Sequence, residues 1–171
     1  MTPEPALAPR RVRDSAAEMT EIVLPQHANV HGTALGGTVL HWIDMAAAMA
    51  AHRHSRRPVV TAAIDEMSFL APIQIGDLVN LHARITAVDR TSMEVRVEVE
   101  AENPLSGERR HTATAYVTFV ALDPITKKPT SVPPLDLESE EERAENASGL
   151  ERRKRRLARR AALRAGGDVR G

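Results

Sequence analysis

Asn29-Val-His-Gly-Thr-Ala-Leu-Gly-Gly-Thr-Val-Leu-His-Trp-Ile-Asp44 passes from a turn-prone polar run, through a glycine pair, into an apolar segment that continues to residue 51. That segment carries Val39, Leu40, Trp42, Ile43, Met45 and a run of alanines, so it reads as a helix that is apolar almost all round. Such a helix must be enclosed on most sides. Gly36 and Gly37 stand at its mouth, where backbone N–H groups meet a ligand oxygen without a side chain in the way. Asp44 lies two helical turns beyond Gly37 and returns to nearly the same face. A carboxylate inside an apolar helix costs free energy unless it is paired or set in a solvated cleft. Asp44 is therefore a candidate functional residue, with an ion-paired structural role as the alternative.

Working outward, residues 20–24 form a short β-type run ended by Pro25, and residues 52–57 supply a cationic helix terminus closed by Pro58. The period then changes. Residues 59–70 are β-like, and residues 78–88 form another strand. Met93, Val95, Val97, Val99 and Ala101 alternate with Glu94, Arg96, Glu98 and Glu100, which predicts a strand with one face in the core and one in water. Residues 111–122 alternate likewise. One short strand, one apolar helix and four turn-connected strands predict an α+β fold: a curved antiparallel sheet wrapped round a single central helix.

Composition narrows the function classes. The 171 residues are 42% hydrophobic and only 2% aromatic, so stacking platforms for single-stranded nucleic acid are scarce. The absence of cysteine removes disulfides, thiolate metal sites and cysteine nucleophiles. No apolar run is long enough to span a bilayer and no secretory signal is visible, so a cytoplasmic location is expected. The formal net charge of zero hides a split. Residues 138–171 hold 7 acidic and 10 basic side chains, sorted into an acidic block and then a basic one. Clustered arginines after an acidic run read as a solvated or self-pairing terminal helix, and nucleic acid is not an expected partner. Residues 1–14 read as a mobile lead-in, 15–126 as the folded domain, and 127–171 as a proline-rich exit and charged tail for which helix and disorder both remain open.

Other chemistries lack their patterns. The glycine pair is neither a dinucleotide fingerprint nor a phosphate loop. Five histidines fall between residues 27 and 54, and His52-x-His54 has chelating spacing. However, residues 27–31 show no helical signal and no H-E-x-x-H pattern is present, so no metal site is expected. His41 near Asp44 has no serine in a G-x-S-x-G elbow to activate. Asn29 suits the orientation of a water or a carbonyl, or equally a loop cap.

The pattern Asn29-x-x-Gly32-x-x-x-Gly36-Gly37-x-x-x-x-x-x-Asp44 resembles the acyl-CoA thioesterases of the hotdog fold, in their acyl-CoA hydrolase branch. Val59-Val-Thr-Ala-Ala-Ile-Asp-Glu-Met-Ser-Phe-Leu-Ala-Pro-Ile-Gln-Ile-Gly-Asp77 is similar to that family's second signature, and Thr114-Ala-Tyr-Val-Thr-Phe-Val-Ala-Leu122 to its last strand. The similarity covers about residues 15–137. It implies hydrolysis of an acyl-CoA by a homodimer, commonly a trimer of dimers, with the catalytic pair Asn29 and Asp44 meeting from opposite protomers. It further implies that the backbone at Gly36 and Gly37 polarises the thioester carbonyl, and that no cofactor is needed beyond the CoA of the substrate. Candidate partners for the CoA phosphates are Arg53, Arg56, Arg57, Arg84 and the basic tail, and candidate channel residues are Thr61 and Ser68. The alternative is a non-catalytic hotdog module that binds an acyl group, CoA or a nucleotide and regulates. A hydratase reading lacks its histidine, because Met49 stands at that position.

Overall fold

The computed structural model describes residues 7–65 and 67–167. Its elements in chain order are β1 (Arg10–Arg11), a 3-10 turn, β2 (Ala17–Ile22), a second 3-10 turn, α1 (Gly36–Ser55), β3 (Val59–Ile64), β4 (Leu78–Val88), β5 (Ser92–Glu102), β6 (Arg109–Ala121), β7 (Leu135–Asp136) and α2 (Glu140–Gly167). Five strands form one antiparallel sheet in the order β2-β4-β5-β6-β3, and β1 pairs with β7 in a separate two-stranded parallel sheet.

The predicted enclosure is what forms. Ile43, Ala46, Ala47, Ala50 and Ala51 of α1 have no exposed surface, and they pack on the inward residues of the sheet, among them Val95, Val97, Val99, Ala115, Val117 and Phe119. Alanine on the buried stripe brings the helix axis close to the strands, and the β-branched residues opposite it suit the pleated surface. This is the curved antiparallel sheet around one helix that the sequence predicts. The helix runs one turn further than expected. It ends at Arg56, whose left-handed φ of 54° and N–H bond to the His52 carbonyl close it before Pro58. His54 is carried into the interior, where its Nε2–H donates to the Pro133 carbonyl at 2.8 Å and burial holds its pKa below the ordinary value.

Three expectations need correction. The lead-in is docked from residue 10: β1 pairs with the chain exit, Val12 is buried, and the Arg10 guanidinium donates to the carbonyls of Arg53 and His54. Residues 1–6 lie outside the described residues. The β-like run 59–70 is a strand only to Ile64.

The third correction concerns the outer face of β5. Glu94 is 3% exposed rather than in water, because α2 covers it. Arg152 binds Glu94 at 2.9 Å and stacks its guanidinium 3.7 Å over the Tyr116 ring. Glu145 accepts from Arg96 at 3.2 Å, Arg152 at 3.1 Å and the Tyr116 hydroxyl at 3.3 Å. Burial and the Glu145 charge raise the pKa of that phenol. Gly149 sits where the helix comes closest. A Cβ there would lie 2.8 Å from both the Ala87 Cβ and a Glu94 carboxylate oxygen. The charged tail is thus a helix latched to the sheet, and the spacing of Glu145, Gly149, Arg152 and Arg156 along one face was the available signal. Removing Glu94 takes one carboxylate from Arg152, which keeps Glu145, and leaves Arg156 on Asp65. Glu94→Ala is expected to lower stability by about 1.5 kcal/mol, read from the urea midpoint at fixed protein concentration; an unchanged midpoint contradicts the latch.

Candidate active site

The loop before α1 is built by Asn29. Its Oδ1 accepts from the backbone N–H of His31 at 2.9 Å and of Thr33 at 3.3 Å, while Nδ2 donates to the Thr33 hydroxyl at 2.9 Å. Gly32, at φ 75°, provides the left-handed residue that lets the Asn29 carbonyl accept from its N–H. The amide still has one donor hydrogen to offer. Asn29 therefore fixes the loop and retains a polar edge at its surface.

The loop delivers the chain to the mouth of α1. Leu35 is the N-cap and supplies no side-chain cap, and the Leu35 carbonyl accepts from Thr38 and Val39. The amides of Gly36 and Gly37 point out of the helix end ahead of those bonds. A Cβ at Gly37 would meet nothing within 4 Å, so the backbone there is open to approach; one at Gly36 would touch the Phe69 ring at 3.5 Å. A cavity of about 270 Å³ opens here, lined by Thr33, Gly36, Val39, Phe69, Leu70 and Ile73 among others. It joins an apolar wall to a partly positive helix terminus, which favours a ligand with an apolar chain and an oxygen that gains negative charge.

Asp44 sits further along the same helix, half-buried, and its Oδ1 accepts from the Thr61 hydroxyl at 2.7 Å. Thr61 lies on β3, an edge strand of the sheet. Along the same edge, the apolar side chains Met45, Val60 (46% exposed) and Ile64 (43% exposed) are left uncovered by one chain. No hydrogen bond joins Asn29 to Asp44 within the chain: each is tied to its own threonine.

The other candidates scatter. Thr61, expected to line a channel, holds the carboxylate. Ser68 is exposed beside Phe69 at the cavity rim. Arg53, Arg56 and Arg57 lie at the far end of α1, about 25 Å from Gly37 at 1.5 Å per residue. The Arg53 guanidinium is turned onto the Ala16 carbonyl. Arg84 pairs with Glu141 of α2 at 3.3 Å on the opposite face of the sheet from α1. In one protomer, none of the four arginines reaches the helix mouth. His27 packs edge-on against Trp42, and among the described residues no cluster of three or more His, Asp or Glu side chains is placed to hold a metal. Sequence reasoning missed Thr33 as the partner of Asn29 and Leu70 as cavity lining, because both contacts depend on how loops meet rather than on a local pattern.

A model of the thioesterase superfamily matches residues 31–108. An uncharacterized acyl-CoA thioester hydrolase of Bacillus subtilis (strain 168) is 43% identical over 133 residues, which is 78% of this chain and 77% of that one. An apo-hexameric acyl-CoA thioesterase superposes with a TM-score of 0.85 at 38% identity, covering 91% of this chain and 99% of the other. The acyl-CoA hydrolase of Staphylococcus aureus, solved with butyryl-CoA, CoA and CoA disulfide, gives 0.86 at 33% identity, with 94% and 97% covered. Further structures of that enzyme replace a single Asp, Asn or Thr by alanine. Longer relatives contain this unit as a part: the chain spans 27% of the acetyl-coenzyme A thioesterase of Rattus norvegicus, at 33% identity over 154 residues. With the hotdog sheet, the central helix and this coverage in agreement, the chain belongs to the acyl-CoA thioester hydrolases of the thioesterase superfamily.

Proposed function

We propose that the protein hydrolyses an acyl-CoA thioester to a free carboxylic acid and CoA, at a site shared between two protomers. The observation that carries this reading is the Asp44–Thr61 hydrogen bond, which holds a carboxylate at the open side of a helix whose uncapped N-terminus borders an apolar cavity. The acyl chain lies in that cavity and the thioester oxygen faces the amides of Gly36 and Gly37, where developing negative charge is favoured. Asp44 takes a proton from water as the water oxygen bonds to the carbonyl carbon. The carbon–sulfur bond then breaks, and the CoA thiolate leaves with the electron pair and is protonated. Asn29 of the partner subunit offers its remaining N–H to the water or the carbonyl.

The exposed apolar strip along β3 supports the pairing, since an open edge strand flanked by Val60, Ile64 and Met45 is a template for a second copy. The hexameric relative supports assembly of such dimers into a trimer of dimers. The Staphylococcus aureus variants support the residue set, because the Asp, Asn and Thr types they replace are those of Asp44, Asn29 and Thr61. Hydrolysis transfers no electrons, so the reading requires no cofactor beyond the CoA of the substrate. A cytoplasmic setting belongs to the same proposal and rests on composition; no helix among the described residues is long and apolar enough to cross a membrane.

Thiol release from a panel of acyl-CoAs of increasing chain length tests the reading. Turnover of at least one acyl-CoA supports it, and CoA binding without released thiol for any member supports the non-catalytic module instead. Asp44→Ala and Asn29→Ala are each expected to lower kcat by about 100-fold or more with the oligomer intact on size exclusion. Unchanged kcat in either variant removes that residue from the mechanism. Thr61→Val deletes only the bond that aims the carboxylate. A fall of about tenfold in kcat with KM nearly constant is expected, and an unchanged kcat shows that Asp44 is held by other means.

A further inference from the structure

α2 is 28 residues long and crosses the outer face of the sheet strand by strand. Glu141 meets Arg84 on β4, Glu145 and Arg152 meet β5 and β6, and Arg156 reaches Asp65, one residue past the end of β3, at 3.0 Å. At this last crossing a cavity of about 420 Å³ opens, lined by Asp65, Tyr116, Arg152, Arg155, Arg156 and Arg159. The spacing of the four arginines sets their guanidinium groups on one helix face. Arg152 is neutralised by Glu94 and Glu145, and Arg156 by Asp65. Arg155 and Arg159 have no hydrogen-bond or ion-pair partner among the described residues, and no acid follows Glu151 in the described part of α2. The Glu151 carboxyl, its pKa lowered by Lys154, lies near enough to Arg155 for that charge to lower it further, without a bond between the two. Guanidinium forks collected in one concavity match the geometry and charge of phosphate oxygens.

The cavity lies just past the end of the strand that carries Thr61. Asp65 follows Thr61, which holds Asp44, by four residues, about 13 Å at 3.3 Å per residue. In a regular strand these two side chains share a face. The irregularity between Thr61 and Ala63 shifts the alternation, so Thr61 reaches α1 on the inner face while Asp65 reaches α2 on the outer one. Thr61 and Asp65 thus set the carboxylate and the arginines on opposite faces of one edge strand.

We propose that this cavity binds the phosphates at the nucleotide end of the CoA substrate, with Arg155 and Arg159 as the binding residues. The inference rests on the acyl-CoA reading above; of the candidates expected for the phosphates it sets aside Arg53, Arg56, Arg57 and Arg84 and narrows the tail to these two residues. Arg152 and Arg156, pinned by Glu94 and Asp65, pre-set the walls. The substrate's phosphates supply the anion that the last two guanidinium groups lack.

The test compares an acyl-CoA with the matching acyl-pantetheine, which has the same thioester and no nucleotide, using the full chain, an Arg155→Ala/Arg159→Ala double variant and the double Lys variant. The Ala variant is expected to raise KM for acyl-CoA about tenfold or more, with kcat within about twofold and acyl-pantetheine kinetics unchanged; the Lys variant recovers part of the loss. In the wild type, 3′,5′-ADP should compete with acyl-CoA, and its affinity by calorimetry should fall in parallel in the Ala variant. An unchanged KM for acyl-CoA overturns the proposal, as does an equal shift for both substrates. Binding of 3′,5′-ADP that does not compete with acyl-CoA marks an independent nucleotide site and also overturns it. If the wild type hydrolyses neither substrate, it is the thioesterase reading that fails. The calorimetric arm still decides the cavity: 3′,5′-ADP affinity lost in the Ala variant supports phosphate binding there, and affinity unchanged by the substitutions, or no binding, overturns it.

Discussion

The packing of an almost uniformly apolar helix against one sheet constrains everything else in this molecule. Six positions of α1 have no exposed surface, four of them alanines, so the helix lies close to the strands along its buried stripe. A single five-stranded sheet cannot close round such a helix. Its concave face takes one side, and the side along the β3 edge is left with Met45, Val60 and Ile64 in the open. The same geometry that builds the core therefore leaves an apolar border, and Asp44 stands in that border. Burying this surface against a second copy lowers the free energy and excludes water from the carboxylate at the same time.

The division of labour follows from that placement. Elements at the mouth of α1 are held by local hydrogen bonds: Asn29 fixes its own loop, and Leu35 leaves the first helical amides free. The carboxylate is held by a long-range bond from the edge strand. In the proposed site the loop and helix end of one chain meet the strand edge of another. The outer face of the sheet is organised on a different principle. There α2 is fastened by charge, with Glu94 buried under Arg152 and Arg156, and it carries a surplus of arginine past the sheet edge.

The fold was legible where periodicity is strict. The second long strand was read as residues 78–88 and is β4 (Leu78–Val88), and the inward residues of β5 are those that alternation picks out. The apolar helix was legible because nothing but enclosure suits its composition. Asp44 was legible from its place in an apolar helix and its pairing with Asn29 only through a family pattern, whereas Thr33, and Thr61 as the partner of Asp44, were not, since neither stands at a spacing that local structure fixes. The outer face of β5 was misread for a physical reason. Glu94 and Arg96 look like a solvated face in a strand considered alone, and the neutralising charges lie 49 to 58 residues away on α2. Charge complementarity between distant segments leaves little local trace.

The central claim is that Asn29 and Asp44 act together only across two protomers. Mixing inactive Asn29→Ala protein with inactive Asp44→Ala protein, under conditions that exchange subunits, tests it most directly. In a two-fold dimer half of the randomly mixed pairs regain one intact site of two, so activity should rise to about a quarter of wild type. If the exchanged mixture stays at the level of its parents, the two residues belong to one chain and the shared site is wrong.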